Sequence, residues 1–126
     1  MKSIKFTPEM TQAIIDGRKT HTRRVIKSHV PLGSWGETMK FCPYQYGERL
    51  FVQDGLVIKV NAVWSERLQD ISDDDCLAEG VNQGFVPLSY AFFELWESIY
   101  GNDPVKGWDA NPWVWVIEFE KVEAKS

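Results

Sequence analysis

The feature that most constrains the fold is the segment PWVWVIEFEKV, residues 112–122, close to the end of the sequence. It is rich in valine, isoleucine and aromatic residues, so it predicts a β-strand. Its first half is apolar on both faces. The residues alternate between Val114, Val116, Glu118 and Glu120 on one face and Trp113, Trp115, Ile117 and Phe119 on the other.

The first third of the chain predicts a short strand, a helix and a long loop. Residues 2–6, KSIKF, alternate enough for a strand. The following segment, TPEMTQAIIDG, carries helix signals at both ends, with Thr7 as a cap, Pro8 at the first helical position and Gly17 as a left-handed stop. Residues 28–47 are rich in glycine, proline and polar residues, so we expect a long loop holding at most one short strand.

The rest of the chain predicts a hairpin, two helices and the final strand. Asp54-Gly55 separates two β-rich runs and suits a type I′ turn. Ser72 opens SDDDCLAEGV as a short helix, in which the acidic run favours the helix N-terminus. The segment SYAFFELWESIYG is a longer helix whose apolar face we expect in the core. Strands and helices without regular alternation indicate an α+β fold, with a curved or closed antiparallel sheet flanked by helices.

Composition limits the classes of function. A chain of 126 residues with 44% hydrophobic content is expected to form one domain over residues 1–126. A formal net charge of -4 argues against a general basic surface for nucleic acid, so an anionic partner must be met locally. The sequence has no signal-peptide pattern and no membrane-length apolar window, which favours a cytoplasmic protein with free thiols. We expect no metal or cofactor, because His21, His29, Cys42 and Cys76 lack zinc-like spacing.

The run GRKTHTRR, residues 17–24, concentrates positive charge in this acidic chain. Cations after a helix complement the negative end of its dipole, which would account for Arg18 and Lys19 structurally. A ligand or counter-ion is the alternative reason for such a cluster.

Gly17, Lys19 and Arg24 follow the pattern Gly-x-Lys-x-x-x-x-Arg, which resembles the signature of ASCH domains in the PUA-like superfamily. The segments YGERLFV, CLAEGV, ERLQDIS and WDANPWVWVIEFE are similar to other parts of phage and prophage members of this family. The resemblance covers residues 4–122 and implies a mostly antiparallel, curved or closed β-barrel with two to three flanking helices. The chain departs from its phage relatives after Val52, where Gln53 to Leu56 replace an Arg-Glu-Thr-Trp group.

Among similar proteins are small amidohydrolases that cleave the acetyl amide of N(4)-acetylcytidine. This resemblance implies catalytic roles for Lys19, Thr22 and Glu79. A threonine hydroxyl needs a base, and lysine acts as one only when neutral. Neighbouring arginines and burial would lower the lysine pKa and a glutamate would raise it, so the net direction stays open. The structural alternatives are a turn hydroxyl for Thr22 and a solvated helix-end carboxylate for Glu79.

A pyrimidine substrate would need a flat, partly apolar slot and polar groups at its edge. Aromatic side chains offer stacking, although most such residues belong to a core. The partner expected is a nucleoside or RNA ligand, bound by a protein for which a monomer is the simplest state. A non-catalytic RNA- or nucleotide-binding module and an RNA nuclease are the alternative functions. The candidate substrate-binding residues are Gly17, Arg23, Arg24, Tyr46, Asn111 and Trp113.

Overall fold

The computed structural model describes residues 2–82 and 84–122, with Trp35 described by its backbone alone. Its elements in chain order are α1 (Pro8–Ile15), β1 (His21–Val25), α2 (Trp35–Met39), β2 (Arg49–Phe51), β3 (Val57–Arg67), α3 (Asp73–Ala78), α4 (Leu88–Tyr100) and β4 (Trp113–Val122), with single 3-10 turns at Leu68–Asp70 and Trp108–Ala110. None of the helices in these residues is long and apolar enough to cross a membrane.

The four strands form one antiparallel sheet in the order β1-β4-β3-β2. The sheet curls into a half-barrel, which confirms the predicted α+β, PUA-like fold in its curved and open form. The pairing of β3 with β4 shifts register between Val60 and Ala62, and such bulges bend a strand. Strand β1 lies at one edge of the sheet.

Strand β4 is covered on both faces. Trp115, Ile117 and Phe119 pack into a core with β3 and the N-terminal segment. Val114 and Val116 pack on the other face against residues of α3 and α4, among them Cys76, Phe92 and Trp96. Both faces of the strand bury apolar side chains away from water, and this burial stabilises the sheet between the two clusters.

Several helix and turn predictions are confirmed in detail. Thr7 caps α1, with its hydroxyl accepting from the Met10 amide, and Gly17 follows the helix at φ 81°. Asp54 and Gly55 both have positive φ, as a type I′ turn requires. The Ser72 hydroxyl accepts from the Asp75 amide at 3.1 Å and begins α3.

Three local predictions differ from the structure. Residues 2–6 form a single parallel bridge between Ser3 and Phe51 and no strand. Residues 28–47 contain the short helix α2 in place of a strand, which raises the number of described α-helices to four. Within the apolar face of α4, Phe92 and Trp96 are buried in a core cluster, but Ile99 lies outside that cluster and is 50% exposed.

The cap at Ser72 gives a direct stability prediction. Ser72→Ala should lower the free energy of unfolding by about 1 kcal/mol, since the Asp75 amide loses its acceptor. Ser34→Ala is the matched control, because the hydroxyl of Ser34, the residue before α2, makes no capping bond within the described residues. Urea unfolding of both variants measures the difference, and equal losses would contradict the prediction.

Candidate active site

A cavity of about 320 Å³ opens beside the edge strand β1. One wall comes from the segment that leads into α1, and the opposite wall comes from α4. The base carries the charged residues of β1 and of the end of α3. The lining residues are Lys5, Phe6, Thr7, Met10, Lys19, Thr22, Arg23, Arg24, Glu79, Phe92, Leu95, Trp96, Ile99 and Tyr100.

Lys19 reaches this cavity because the chain reverses sharply after α1. Gly17 supplies the left-handed turn, and the Lys19 amide then donates to the carbonyl of Ala13 at 3.1 Å. Gly80 backs against the lysine, where an added Cβ would lie 3.2 Å from Lys19 Cβ and where φ is +99°. Glycine is therefore needed at position 80 both for its backbone conformation and for the close approach.

The amino group of Lys19 is buried and fully hydrogen-bonded. Its Nζ donates to the carbonyl of His21 at 2.7 Å, the carbonyl of Glu79 at 2.9 Å and Glu79 Oε1 at 3.1 Å. Three acceptors match the three protons of an ammonium. Burial nevertheless lowers the pKa of Lys19 below its ordinary value; Glu79 acts against this shift, and Arg24 and Arg23 add to it. The net direction of the Lys19 pKa shift, which the sequence left open, is therefore downward.

Glu79 joins Lys19 to a second buried cation. It caps the C-terminus of α3 and is 4% exposed, so it is not the solvated helix-end carboxylate of the structural alternative. Its Oε1 accepts from Lys19, and its Oε2 accepts from Arg23 Nη1 at 2.9 Å. Both oxygens are engaged, so the carboxylate is held rigidly between the two cations.

Arg23 lies at the centre of three carboxylates. Besides Glu79, its Nη2 donates to Glu66 Oε1 at 2.6 Å and to Asp75 Oδ2 at 3.0 Å. Burial opposes the charge of Arg23, yet Glu79 and Glu66 raise its pKa above the ordinary value. The sequence did not identify Glu66 as a site residue, and it predicted for Asp75 only a favourable charge at the N-terminus of α3. The one available signal was the excess of acids near α3.

Thr22 and Arg24 lie on the opposite face of β1 from Arg23, because side chains alternate along a strand. Thr22 is 4% exposed, and its Oγ1 accepts from Arg24 Nε at 3.4 Å. Arg24 also donates from Nη2 to the carbonyl of Lys5 at 2.8 Å, with its guanidinium 5.0 Å from the Phe6 ring centroid. Lys19 Nζ lies 5.7 Å from the same centroid, so Phe6 packs between the cations and the cavity wall.

The backbone of β1 offers a further donor at this edge. Bonds from Phe119 N to Thr20 O and from Ile26 N to Trp113 O show that even-numbered residues of β1 pair with β4. The amide of Arg23 therefore faces away from β4, and within the described residues it has no hydrogen-bond partner. An N–H group left free at an edge strand is available to an acceptor atom of a ligand.

The remaining predicted substrate-binding residues do not line this cavity. Gly17 acts in the turn that positions Lys19. Tyr46 is 81% exposed in the loop before β2. Asn111 has φ 45° and accepts from the Gln69 amide at 2.9 Å, while Trp113 packs under Arg67 at 5.0 Å. The residues that sequence reasoning missed are Phe6, Leu95, Trp96 and Tyr100, since an apolar stripe that lines a cavity looks like a core stripe.

The structure also accounts for the clustered positive charge in residues 17–24. Arg23 is enclosed by carboxylates and Lys19 is buried against Glu79. Arg18 turns outward, donating to the carbonyl of Gly80 at 3.1 Å and pairing with Asp16 at 3.6 Å. Most of the cluster is therefore neutralised within the protein.

The curled antiparallel half-barrel with flanking helices is the fold of ASCH domains, a PUA-like fold. The chain is similar over 89% of its length to an ASCH domain from Lactobacillus crispatus, with a TM-score of 0.58, 14% identity and 69% of that chain covered. Further similar structures are protein EF3133 of Enterococcus faecalis, described as DUF984 (TM-score 0.65, 14% identity, 100% of this chain and 83% of that one), and the hypothetical protein PH0355 (0.63, 16%, 97% and 100%). No family model and no curated protein sequence matches the chain.

Proposed function

We propose that the protein hydrolyses the amide of an acylated pyrimidine nucleoside such as N(4)-acetylcytidine. The observation that carries this proposal is that Lys19, Thr22 and Glu79 line one cavity, with Lys19 and Glu79 paired at 3.1 Å out of solvent. A threonine nucleophile needs a base to take its proton, and the Lys19 amine and the Thr22 hydroxyl line the same cavity.

In the first step, Thr22 Oγ1 attacks the acyl carbonyl carbon and its proton passes to neutral Lys19. The free amide of Arg23, with Arg24 beside it, donates to the oxyanion. When the intermediate collapses, the carbon–nitrogen bond breaks and Lys19 returns the proton to the departing exocyclic nitrogen. Water then attacks the acyl-threonine ester with Lys19 again accepting a proton, which releases the carboxylic acid and restores the Thr22 hydroxyl.

Glu79 is the positioning residue of this reaction. Because one of its oxygens holds Lys19 and the other holds Arg23, it has no free oxygen with which to protonate a leaving group. Between the two roles considered for it, orienting Lys19 is the better supported. Arg23 in turn fixes the carboxylate through its own contacts with Glu66 and Asp75.

The cavity also suits the shape of a pyrimidine nucleoside. Its volume of about 320 Å³ lies at the lower end of the small-molecule range. On the α4 wall, the partly exposed ring of Tyr100 packs on the buried ring of Trp96, with the two centroids 4.6 Å apart. A flat base can pack against such a surface while polar atoms at the base of the cavity select the acylated edge.

A module that grips RNA through its arginines would need them spread along an exposed groove. Arg23 is instead enclosed by three carboxylates, with its side chain 0% exposed. The geometry therefore favours hydrolysis over binding of RNA phosphates by this cluster.

The test is a chromatographic assay of N(4)-acetylcytidine with wild type and Lys19→Met. Wild type should release cytidine and acetate, and the variant should be about 10²- to 10⁴-fold slower because it lacks the proton acceptor. Arg18→Met is the matched control, since Arg18 is a nearby cation outside the cavity, and it should retain the wild-type rate. No conversion by wild type, or equal conversion by all three proteins, would overturn the proposal.

The pH dependence of the same assay tests the role of Lys19. Only the neutral amine accepts the proton, so the rate should rise as pH rises through the pKa of Lys19. Burial lowers that pKa, so the midpoint should fall below the ordinary lysine value of about 10.4. The rising limb should be absent from the residual activity of Lys19→Met, and a limb shared by both proteins would assign it to another group.

A further inference from the structure

A second cavity, of about 350 Å³, lies next to the first and shares Arg24 with it. Its lining combines cationic and aromatic side chains, and within the described residues it includes no carboxylate. Positive charge is therefore concentrated at this cavity, although the chain as a whole carries a formal charge of -4. The residues that matter are Arg24, Lys27, His29, Phe41, Tyr44 and Trp115.

Strand geometry fixes the relation between the two cavities. Thr22 and Arg24 are two residues apart on one face of β1, which is about 7 Å along the strand. Arg24 pairs across the sheet with Trp115, which lines the second cavity. Arg24 therefore lines both cavities, and its Nε donates to the Thr22 hydroxyl at 3.4 Å.

The second cavity has the chemistry of a nucleotide site. Phe41 is 48% exposed, and its ring meets that of His29 edge to face at 6.4 Å, so an aromatic surface is open to a ligand. Lys27 is exposed beside it. Aromatic faces that stack with bases, combined with cations that meet the backbone, are how proteins bind single-stranded nucleic acid.

We infer that the substrate is a single-stranded oligonucleotide, with the acylated base in the first cavity and the neighbouring nucleotide in the second. The inference rests on the proposed function for the identity of the first base. Arg24 then lies where the phosphate between the two nucleosides would pass, and Phe41 with Tyr44 offers the stacking surface for the second base.

The experiment compares N(4)-acetylcytidine with a trinucleotide in which the acetylated cytidine lies between two uridines. Wild type should show a kcat/KM about fivefold or more higher on the trinucleotide, since stacking of one further base is worth at least that factor. Lys27→Glu and Phe41→Ala should remove this advantage and leave the nucleoside reaction unchanged. Equal kcat/KM on both substrates in wild type would overturn the inference.

The controls are Lys40→Glu and Phe85→Ala, which change an exposed lysine and an exposed phenylalanine outside the second cavity. Both should keep the preference for the trinucleotide. If they lose it to the same extent as Lys27→Glu and Phe41→Ala, the second cavity does not bind the neighbouring nucleotide.

A binding measurement separates failure of this inference from failure of the proposed hydrolysis. Fluorescence anisotropy of a labelled, unacetylated uridine–cytidine–uridine trinucleotide needs no catalysis. Affinity that falls with salt and is lost in Lys27→Glu and Phe41→Ala, but not in the controls, would support the nucleotide site even if no amide were cleaved. Binding that is absent, or equal in variants and controls, would overturn it.

Discussion

Thr22→Val is expected to lower kcat for N(4)-acetylcytidine by about 10⁴- to 10⁶-fold, the usual cost of removing a nucleophile from a preorganised site. Valine has nearly the shape of threonine and lacks only the hydroxyl. The Thr22 hydroxyl accepts one long bond, from Arg24 Nε at 3.4 Å, so its loss should cost little stability. The assay is product formation under single-turnover conditions, with the fold checked by urea unfolding.

Two further variants make this result specific. Thr20→Val removes a nearby hydroxyl that contacts His21 Nδ1 at 2.9 Å and does not line the cavity, so it should retain the wild-type rate. Thr22→Ser keeps a hydroxyl and should retain much of the activity. A wild-type rate in Thr22→Val would mean that water attacks the amide directly, and the nucleophile would have to be reassigned.

Arg23→Met is expected to lower the free energy of unfolding by about 3 kcal/mol, because it removes a buried cation that is shared by the buried Glu79 and the partly exposed Glu66 and Asp75. Glu79 keeps Lys19 as a partner, but Glu66 and Asp75 each lose their ion pair with Arg23. Methionine fills much of the same volume, so the loss reflects charge and hydrogen bonding more than a cavity. Urea unfolding at constant pH measures the change.

The comparison variants for this stability effect are Arg18→Met and Arg23→Lys. Arg18 is exposed and pairs at the surface, so its replacement should change stability by no more than about 0.5 kcal/mol. Arg23→Lys keeps the charge but loses the two-nitrogen fork that spans Glu79 and the other carboxylates, so it should recover only part of the loss. If Arg23→Met costs as little as Arg18→Met, the buried network does not hold the site together.

Features that depend on neighbours in sequence were predictable. The start of α1 at Thr7, the turn at Asp54-Gly55 and the start of α3 at Ser72 each depend on bonds or backbone angles within a few residues. The β propensity and the alternation of residues 113–120 likewise predicted the strand β4. By contrast, the predicted strand at residues 2–6 was wrong because its pairing needed Phe51, a distant partner that offers only one bridge.

The candidate site likewise has residues that the sequence predicted correctly and residues that it did not. The spacing of Gly17, Lys19, Thr22 and Arg24 along the chain marked them by resemblance, and the fold brings the last three to one cavity with Glu79. Tyr46, Asn111 and Trp113 were chosen for chemical type alone, and they lie away from it. Whether an aromatic residue stacks on a ligand or fills a core depends on what the fold packs against it.

The sequence by itself determined the secondary structure of most segments and the residues of the charged run. Only the tertiary structure decided what that run does, since Arg23 meets Glu66, Asp75 and Glu79 across separations of 43, 52 and 56 residues. Capping bonds, turn angles and strand alternation act over a few residues and can be read locally. Burial, ion pairing and the shape of a cavity arise when distant segments meet, and no short stretch of sequence contains them.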